Sequence, residues 1–258
     1  VYLDEIIAAH RSAAFRDTRN LDSLVEEALS MGPTRGFGRR LRDDSDAALA
    51  VVAEIKRKSP SKGVLNADLD PAVLAMTYEE AGASCVSVLT DERFFGGSAD
   101  DLRAARAAVG LPILRKDFTV ARHDVCDARL MGADCLLLIV AALNVDDLRA
   151  MHALALEIGL DVLVETHDEH EVDIALEIGA RIIGVNQRDL RTFVVDHDRA
   201  LRMAATIPSG VIKVAESGVR GAEDAARLRD SGYDAVLVGE TLLVSADPAS
   251  ALSAIRVR

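Results

Sequence analysis

The chain has 258 residues, half of them hydrophobic, but only 3% are aromatic and Trp is absent. Ala, Val, Ile and Leu must therefore fill the core, as they fill parallel-sheet interiors, which argues against a β-sandwich. A formal net charge of −12 excludes the clustered positive surface that binding to a phosphate backbone needs, so no nucleic-acid partner is expected.

The first ten residues, Val1 to His10, include Asp4 and Glu5 and do not resemble a secretory signal. No run approaches the ~18 uninterrupted apolar residues of a membrane span, so no membrane partner is expected. Leu3, Ile6 and Ile7, then Leu21, Leu24, Val25 and Leu29, have amphipathic spacing and predict an N-terminal helical extension over residues 1–48. Met31 to Gly38, with three Gly and one Pro, reads as the connection from these helices onward.

Eight strand-like runs follow: Val51–Ile55, Cys85–Leu89, Pro112–Arg115, Cys135–Ile139, Asp161–Val164, Ile182–Val185, Val211–Ala215 and Ala235–Val238. Five of them come just after a glycine suited to ending a helix: Gly82, Gly132, Gly159, Gly179 and Gly232. Their spacing of roughly 20 to 33 residues fits βα units, and eight such units predict a closed (β/α)8 TIM barrel of the α/β class, one domain over residues 1–258. The rival, an open doubly wound sheet, would carry a G-x-G-x-x-G turn after its first strand, where Glu54-Ile55-Lys56-Arg57-Lys58 stands instead. Cys85, Cys126 and Cys135 are odd in number and lack CxxC spacing, which suits buried thiols in a reducing cytoplasm. A monomer or weak homo-oligomer is expected.

In such a barrel chemistry sits at the C-terminal strand ends. That rule singles out Glu54 and Lys56 after the first strand, Lys116 and Asp117 after the third and Glu165 after the fifth. Asn186 and Arg188 follow the sixth strand, and Glu216 and Ser217 the seventh. Only five of the thirty basic residues are lysines, and Lys56, Lys58, Lys62 and Lys116 cluster around the first and third strands. An ammonium group can give up its proton where a guanidinium cannot, so lysine here suggests acid-base or Schiff-base duty, against the plainer reading of surface salt bridges. Glu165 suits a general base or an ion-pair partner for Lys116 or Lys56, and the two roles are compatible. Glu54 and Glu216 suit either catalytic contact or holding the lysines.

Ala215-Glu216-Ser217-Gly218 and Val238-Gly239-Glu240 place small residues where backbone amides can approach an anion, against the alternative of two unrelated tight turns. Phe94, Phe95 and Phe118 suggest an aromatic substrate face or a packed loop. His167-Asp168-Glu169-His170 has the look of a metal cluster but falls where acidic side chains favour a helix start, so no metal is expected there.

Four segments together resemble the indole-3-glycerol-phosphate synthase family: Val52 to Gly63, with its E-I-K-R-x-S-P-S run through Ser61, Leu114-Arg115-Lys116-Asp117-Phe118, Val185 to Leu190, and Ala215-Glu216-Ser217-Gly218. The resemblance runs from the N-terminal helices to the last strand. It implies conversion of 1-(2-carboxyphenylamino)-1-deoxyribulose 5-phosphate to indole-3-glycerol phosphate with loss of CO2 and water, a carboxy-lyase step of tryptophan synthesis. No cofactor and no metal are implied.

By motif, the resemblance makes Lys116 the general acid and Glu165 the base of the dehydration, with Lys56 on the substrate carboxylate. Arg188 and Asn186 would contact the anthranilate portion, and Glu54 and Glu216 would complete a polar ring. Phe95, Phe118 and Ser59 would lie near the aromatic ring. Amides around Ser217, Gly218, Gly239 and Glu240 would hold the phosphate, although many relatives carry Ser where Glu240 stands. Two rivals remain: an isomerase or Schiff-base aldolase using Lys116 or Lys56, and a ligand-binding scaffold without turnover.

Overall fold

A computed structural model describes residues 2–60, 62–189 and 192–258. Ser61 and Leu190 of the motifs quoted above, and Val1, lie outside the described residues.

Three helices precede the barrel: α1 (Tyr2–Phe15), α2 (Leu21–Ser30) and α3 (Phe37–Ser45). The Asn20 side chain accepts from the Ser23 amide and so starts α2, as an N-cap should. The stretch read as a connection, Met31 to Gly38, is shorter than expected because α3 begins inside it, after Gly36 at φ 75°. With only Phe37 and Leu41 apolar, this helix gave almost no periodic signal. Both side chains are fully buried, each worth about 1.5–3 kcal/mol.

The barrel strands are β1 (Ala50–Ile55), β2 (Cys85–Leu89), β3 (Ile113–Lys116), β4 (Cys135–Ile139), β5 (Asp161–Thr166), β6 (Ile182–Asn186), β7 (Ile212–Glu216) and β8 (Ala235–Val238). All neighbouring pairs are parallel, and β1 also pairs β8, so the sheet closes. The predicted fold class is the observed one. Around and between the strands lie α4 (Pro71–Glu80), α5 (Glu92–Phe95), α6 (Ala99–Ala108), α7 (Arg122–Met131), α8 (Val145–Glu157), α9 (Glu169–Glu177), α10 (Arg199–Met203), α11 (Ala222–Asp230), α12 (Glu240–Leu243) and α13 (Pro248–Ile255). A two-stranded hairpin, Lys58–Ser59 with Gly63–Val64, sits in the loop after β1 and gave no sequence signal.

Successive strand residues face opposite sides, and the packing follows that parity. Val51, Ala53 and Ile55 join the core between strands and helices, whereas Ala50 and Val52 join the barrel interior. The interior set also holds Leu114, Leu163, Ile182 and Val214, with Phe37 and Leu41 of α3. α3 docks at the strand starts, where the Gly38 amide donates to Asp161 Oδ2 at 2.9 Å. The other end of the barrel is left for the site.

Several strands run past the ends expected for them. Lys116, Glu165, Asn186 and Glu216 are strand residues, paired in register with Leu89, Ile139, Glu216 and Asn186. Ending these runs before Lys116, Glu165, Asn186 and Glu216 fails because the backbone ladder continues while the polar side chain turns into the barrel mouth.

Candidate active site

Extending each inward set by two residues leads to the site. Val52 leads to Glu54, Leu114 to Lys116, Leu163 to Glu165, Gly184 to Asn186 and Val214 to Glu216, so five polar side chains form one layer above the apolar interior. They line a cavity of about 360 Å³. All fourteen residues to which the family resemblance assigns a role line it, including Lys56, Ser59, Phe95, Phe118, Arg188, Ser217, Gly218, Gly239 and Glu240.

Lys116 Nζ stands 3.2 Å from Glu165 Oε2 and 3.6 Å from Glu216 Oε2. Burial works against its charge, but Glu165, Glu216 and Glu54 outweigh that and raise its pKa above the ordinary lysine value. For Glu165, burial opposes the carboxylate. Lys116, then His167 and Asn186, reverse this and hold it well below the usual carboxylate range. Asn186 donates from Nδ2 to Glu165 Oε1 at 3.0 Å. Glu216 is different: burial and the nearby Glu165 and Glu54 push its carboxyl up to about 8, with Lys116 pulling the other way. Its Oε1 has no hydrogen-bond partner among the described residues. Opposite it, a Cβ on Gly184 would stand against that oxygen and force the Glu216 carboxyl to shift.

Lys56 Nζ lies 2.5 Å from Glu54 Oε1. Gly239 faces the same carboxylate, and a Cβ on it would strike Glu54 Oε1. The glycine read as room for an anion therefore also makes room for Glu54. In the loop after β7, Ser217 and Gly218 both adopt left-handed backbone, at φ 65° and 75°. Ser217 pays a steric cost that Gly218 avoids. Buried Gln187 pins the turn by donating to the Ser217 carbonyl at 2.7 Å. Thr241 Oγ1 donates to the Val219 carbonyl at 2.6 Å and ties this loop to α12.

Glu240 reaches Arg188 Nη2 at 3.4 Å and Lys62 Nζ at 3.5 Å, so its carboxylate spans the cations at the mouth. Lys62 is over half exposed, which fits the surface-pair reading. Phe95 and Phe118 face each other with centroids 6.1 Å apart. Phe94 does not join them: it is buried away from the cavity with Arg93 over its ring, because Asp91 caps α5 and turns consecutive side chains apart.

Sequence reasoning missed several contributions, among them His197 and Arg220 in the cavity wall. Leu3 and Ile6 of α1 line the cavity, so their apolar spacing marked a wall of the site as well as helix packing. His167 was weighed only as a metal ligand, but it lies between Glu165 and Glu171, whereas His170 is exposed. Among the described residues, three potential metal ligands gather only at His10, Asp91 and Asp117. Those carboxylates already cap α5 and hold Arg115.

Fold and layer together define an enzyme of the (β/α)8-barrel class, equipped to move protons at a buried mouth. The profile of the family described as indole-3-glycerol phosphate synthase matches residues 3–255. The chain is 50% identical over 237 residues to indole-3-glycerol phosphate synthase 2 of Streptomyces coelicolor, covering 92% of this chain and 91% of that protein. It is 48% identical over 236 residues to the indole-3-glycerol phosphate synthase of Chlorobium phaeovibrioides, covering 92% and 88%. The chain belongs to the indole-3-glycerol phosphate synthase family. Among solved structures, a thiamine phosphate pyrophosphorylase from Pyrococcus furiosus superimposes with a TM-score of 0.61 at 14% identity, covering 83% of this chain and 95% of that one, a likeness of fold alone.

Proposed function

We propose that this chain closes the indole ring of 1-(2-carboxyphenylamino)-1-deoxyribulose 5-phosphate, releasing CO2 and water, as a carboxy-lyase of tryptophan synthesis. The observation that carries this reading is Lys116 held between Glu165 and Glu216 at the mouth of a barrel that matches the family from end to end. Lys116 gives its proton to the ribulose carbonyl oxygen as the carboxyl-bearing ring carbon attacks the carbonyl carbon. The new ring then sheds its carboxylate as CO2, with the cyclised iminium taking the electron pair. In the dehydration Glu165 takes a proton from the carbon between the nitrogen and the former carbonyl carbon, while the hydroxyl formed from the carbonyl oxygen takes a second proton from Lys56 and departs as water. The ion pair keeps the acid protonated and the base ionised until they are needed, and discharging Lys116 removes a cation from beside Glu165 and so makes it more basic.

Lys56 meets the substrate carboxylate, Arg188 and Asn186 the anthranilate side, and Phe95, Phe118 and Ser59 the aromatic ring. Glu54 and Glu216 take substrate hydroxyls, and the unpartnered Oε1 of Glu216 supports this. The backbone around Ser217, Gly218, Gly239 and Glu240 holds the phosphate near the start of α12. A Schiff-base aldolase is disfavoured because a nucleophilic amine must be neutral, and the carboxylates around Lys116 hold it charged.

The chain works as one domain over residues 1–258, with residues 1–48 as its helical extension, and the presence of Leu3 and Ile6 in the cavity supports that unity. It acts in the cytoplasm as a monomer or weak homo-oligomer with no nucleic-acid partner. The three unpaired, buried cysteines suit a reducing compartment. Turnover is directly visible: the chain has no Trp, so indole emission should rise as substrate is consumed. Binding by calorimetry with no emission would favour the scaffold reading, and borohydride trapping of substrate would favour the aldolase.

A further inference from the structure

His167 follows β5 and, among the described residues, is the ionisable group beside Glu165 that the proposed reaction leaves unused. Its Nδ1 lies 3.0 Å from Glu171 Oε2, and the same oxygen accepts from the His167 amide at 2.7 Å, so α9 fixes both ring and backbone. Its Nε2 lies 3.3 Å from Glu165 Oε1, an ion-pair distance without hydrogen-bond alignment. The ionisable groups facing the imidazole are Glu165 of β5 and Glu171 of α9. Behind Glu165 stand Lys116 of β3, Glu216 of β7 and Glu54 of β1. Burial works against a charged ring, but the two carboxylates outweigh it and raise the His167 pKa to about 10.

We propose that His167 is a positioning residue for Glu165, an imidazolium braced by Glu171 that holds the Glu165 carboxylate ionised and aimed into the cavity when Lys116 has given up its proton. Two cations flank Glu165, and only one of them is spent in the reaction. Without the second, discharge of Lys116 would leave Glu165 buried near Glu216 and Glu54 with no cation in contact. Glu165 would then draw a proton before the dehydration step.

This rests on the proposed ring closure, but its first test does not. Nitrogen-15 NMR of the ring should show His167 cationic past pH 9 in the wild type, with its titration at least one unit lower in Glu171→Gln. A wild-type midpoint near 6.5 overturns the proposal whether or not the chain turns over the substrate. In kinetics, His167→Leu should lower kcat on the order of 100-fold with KM within about threefold, and move the acid limb of kcat to higher pH because Glu165 loses a cation. His167→Asn, which restores a donor without the charge, should recover part of kcat but not the limb. A His167→Leu protein that is folded by circular dichroism and keeps the wild-type kcat and pH profile overturns the proposal. If the wild type itself gives no indole emission, the ring-closure reading fails instead, and the NMR midpoint still decides the charge state of His167.

Discussion

The two halves of the barrel mouth are built on different principles. The half proposed for acid-base work, Glu54, Lys116, Glu165, Asn186 and Glu216, consists of side chains on the last two residues of strands, aimed by strand parity and braced by one another. The half around Ser217, Gly218, Gly239 and Glu240 consists of backbone, set by left-handed turns and by the absence of side chains. A site that transfers protons needs groups whose pKa can be tuned, and only side chains offer that. The proposed phosphate site needs close approach of backbone amides, which favours glycine.

The sharpest way to test this division is to remove its central cation. Lys116→Met should lower kcat by a factor on the order of 100 or more with KM within about tenfold, because general-acid help is felt in the transition state. Lys116→Arg should be nearly as poor, since guanidinium keeps the charge and withholds the proton. Steady-state indole emission measures both, and near-wild-type turnover in either would remove Lys116 from the acid role.

Gly239→Ala tests whether the halves are separable. The added methyl meets Glu54 as well as any anion, so both parameters should move, KM rising and kcat falling, each by about tenfold. A rise in KM alone would mean that Glu54 yields without consequence and the two halves are independent. Gly218→Ala is the contrasting case. Its positive φ and the crowding by Val195 and His197 lie in the backbone half, so KM should rise several-fold with kcat nearly unchanged.

The pH dependence of stability distinguishes side chains within the acid-base half. Glu216 has its folded pKa raised to about 8, so its contribution is fully present below its ordinary value of 4.5 and is lost as pH rises through 8. Glu165 is shifted the other way, and its contribution is present above 4.5 and lost on acidification. Glu216→Gln should therefore flatten the decline in urea-unfolding stability between pH 5 and 9 on the order of 1 kcal/mol or more. A decline as steep as that of the wild type would show that Glu216 is ionised throughout.

The smallest effect belongs to Glu240→Ser. Removing a half-exposed carboxylate that holds Arg188 and Lys62 should change stability by under about 1 kcal/mol. KM for the phosphorylated substrate should fall a few-fold as both cations are released toward the anion. A rise in KM would make Glu240 part of the anion's support.

Much of this molecule was legible from its residues one stretch at a time. The helix-ending glycines before five strands, the short apolar runs and the polar residues just beyond them yielded the barrel and the polar ring at its mouth, while the resemblance to the family supplied the full set of fourteen site residues. These signals are local: a glycine at a helix end and a charge at a strand end act within one βα unit. What failed was also local. The expected strands stop short of Lys116, Glu165, Asn186 and Glu216, which the ladder includes, and α3 escapes notice because two apolar residues carry no visible period.

Residue types and their order along the chain determined the barrel, the polar ring at its strand ends and the family. Only the closed tertiary structure decided that Lys116 would lie between Glu165 and Glu216, that Gly239 would make room for Glu54, that α1 would wall the cavity, and that His167 would face Glu165. The physical reason is closure. Strands far apart in sequence meet across the barrel interior, and the charge state of each group depends on which others stand within a few ångströms in a place that water does not screen.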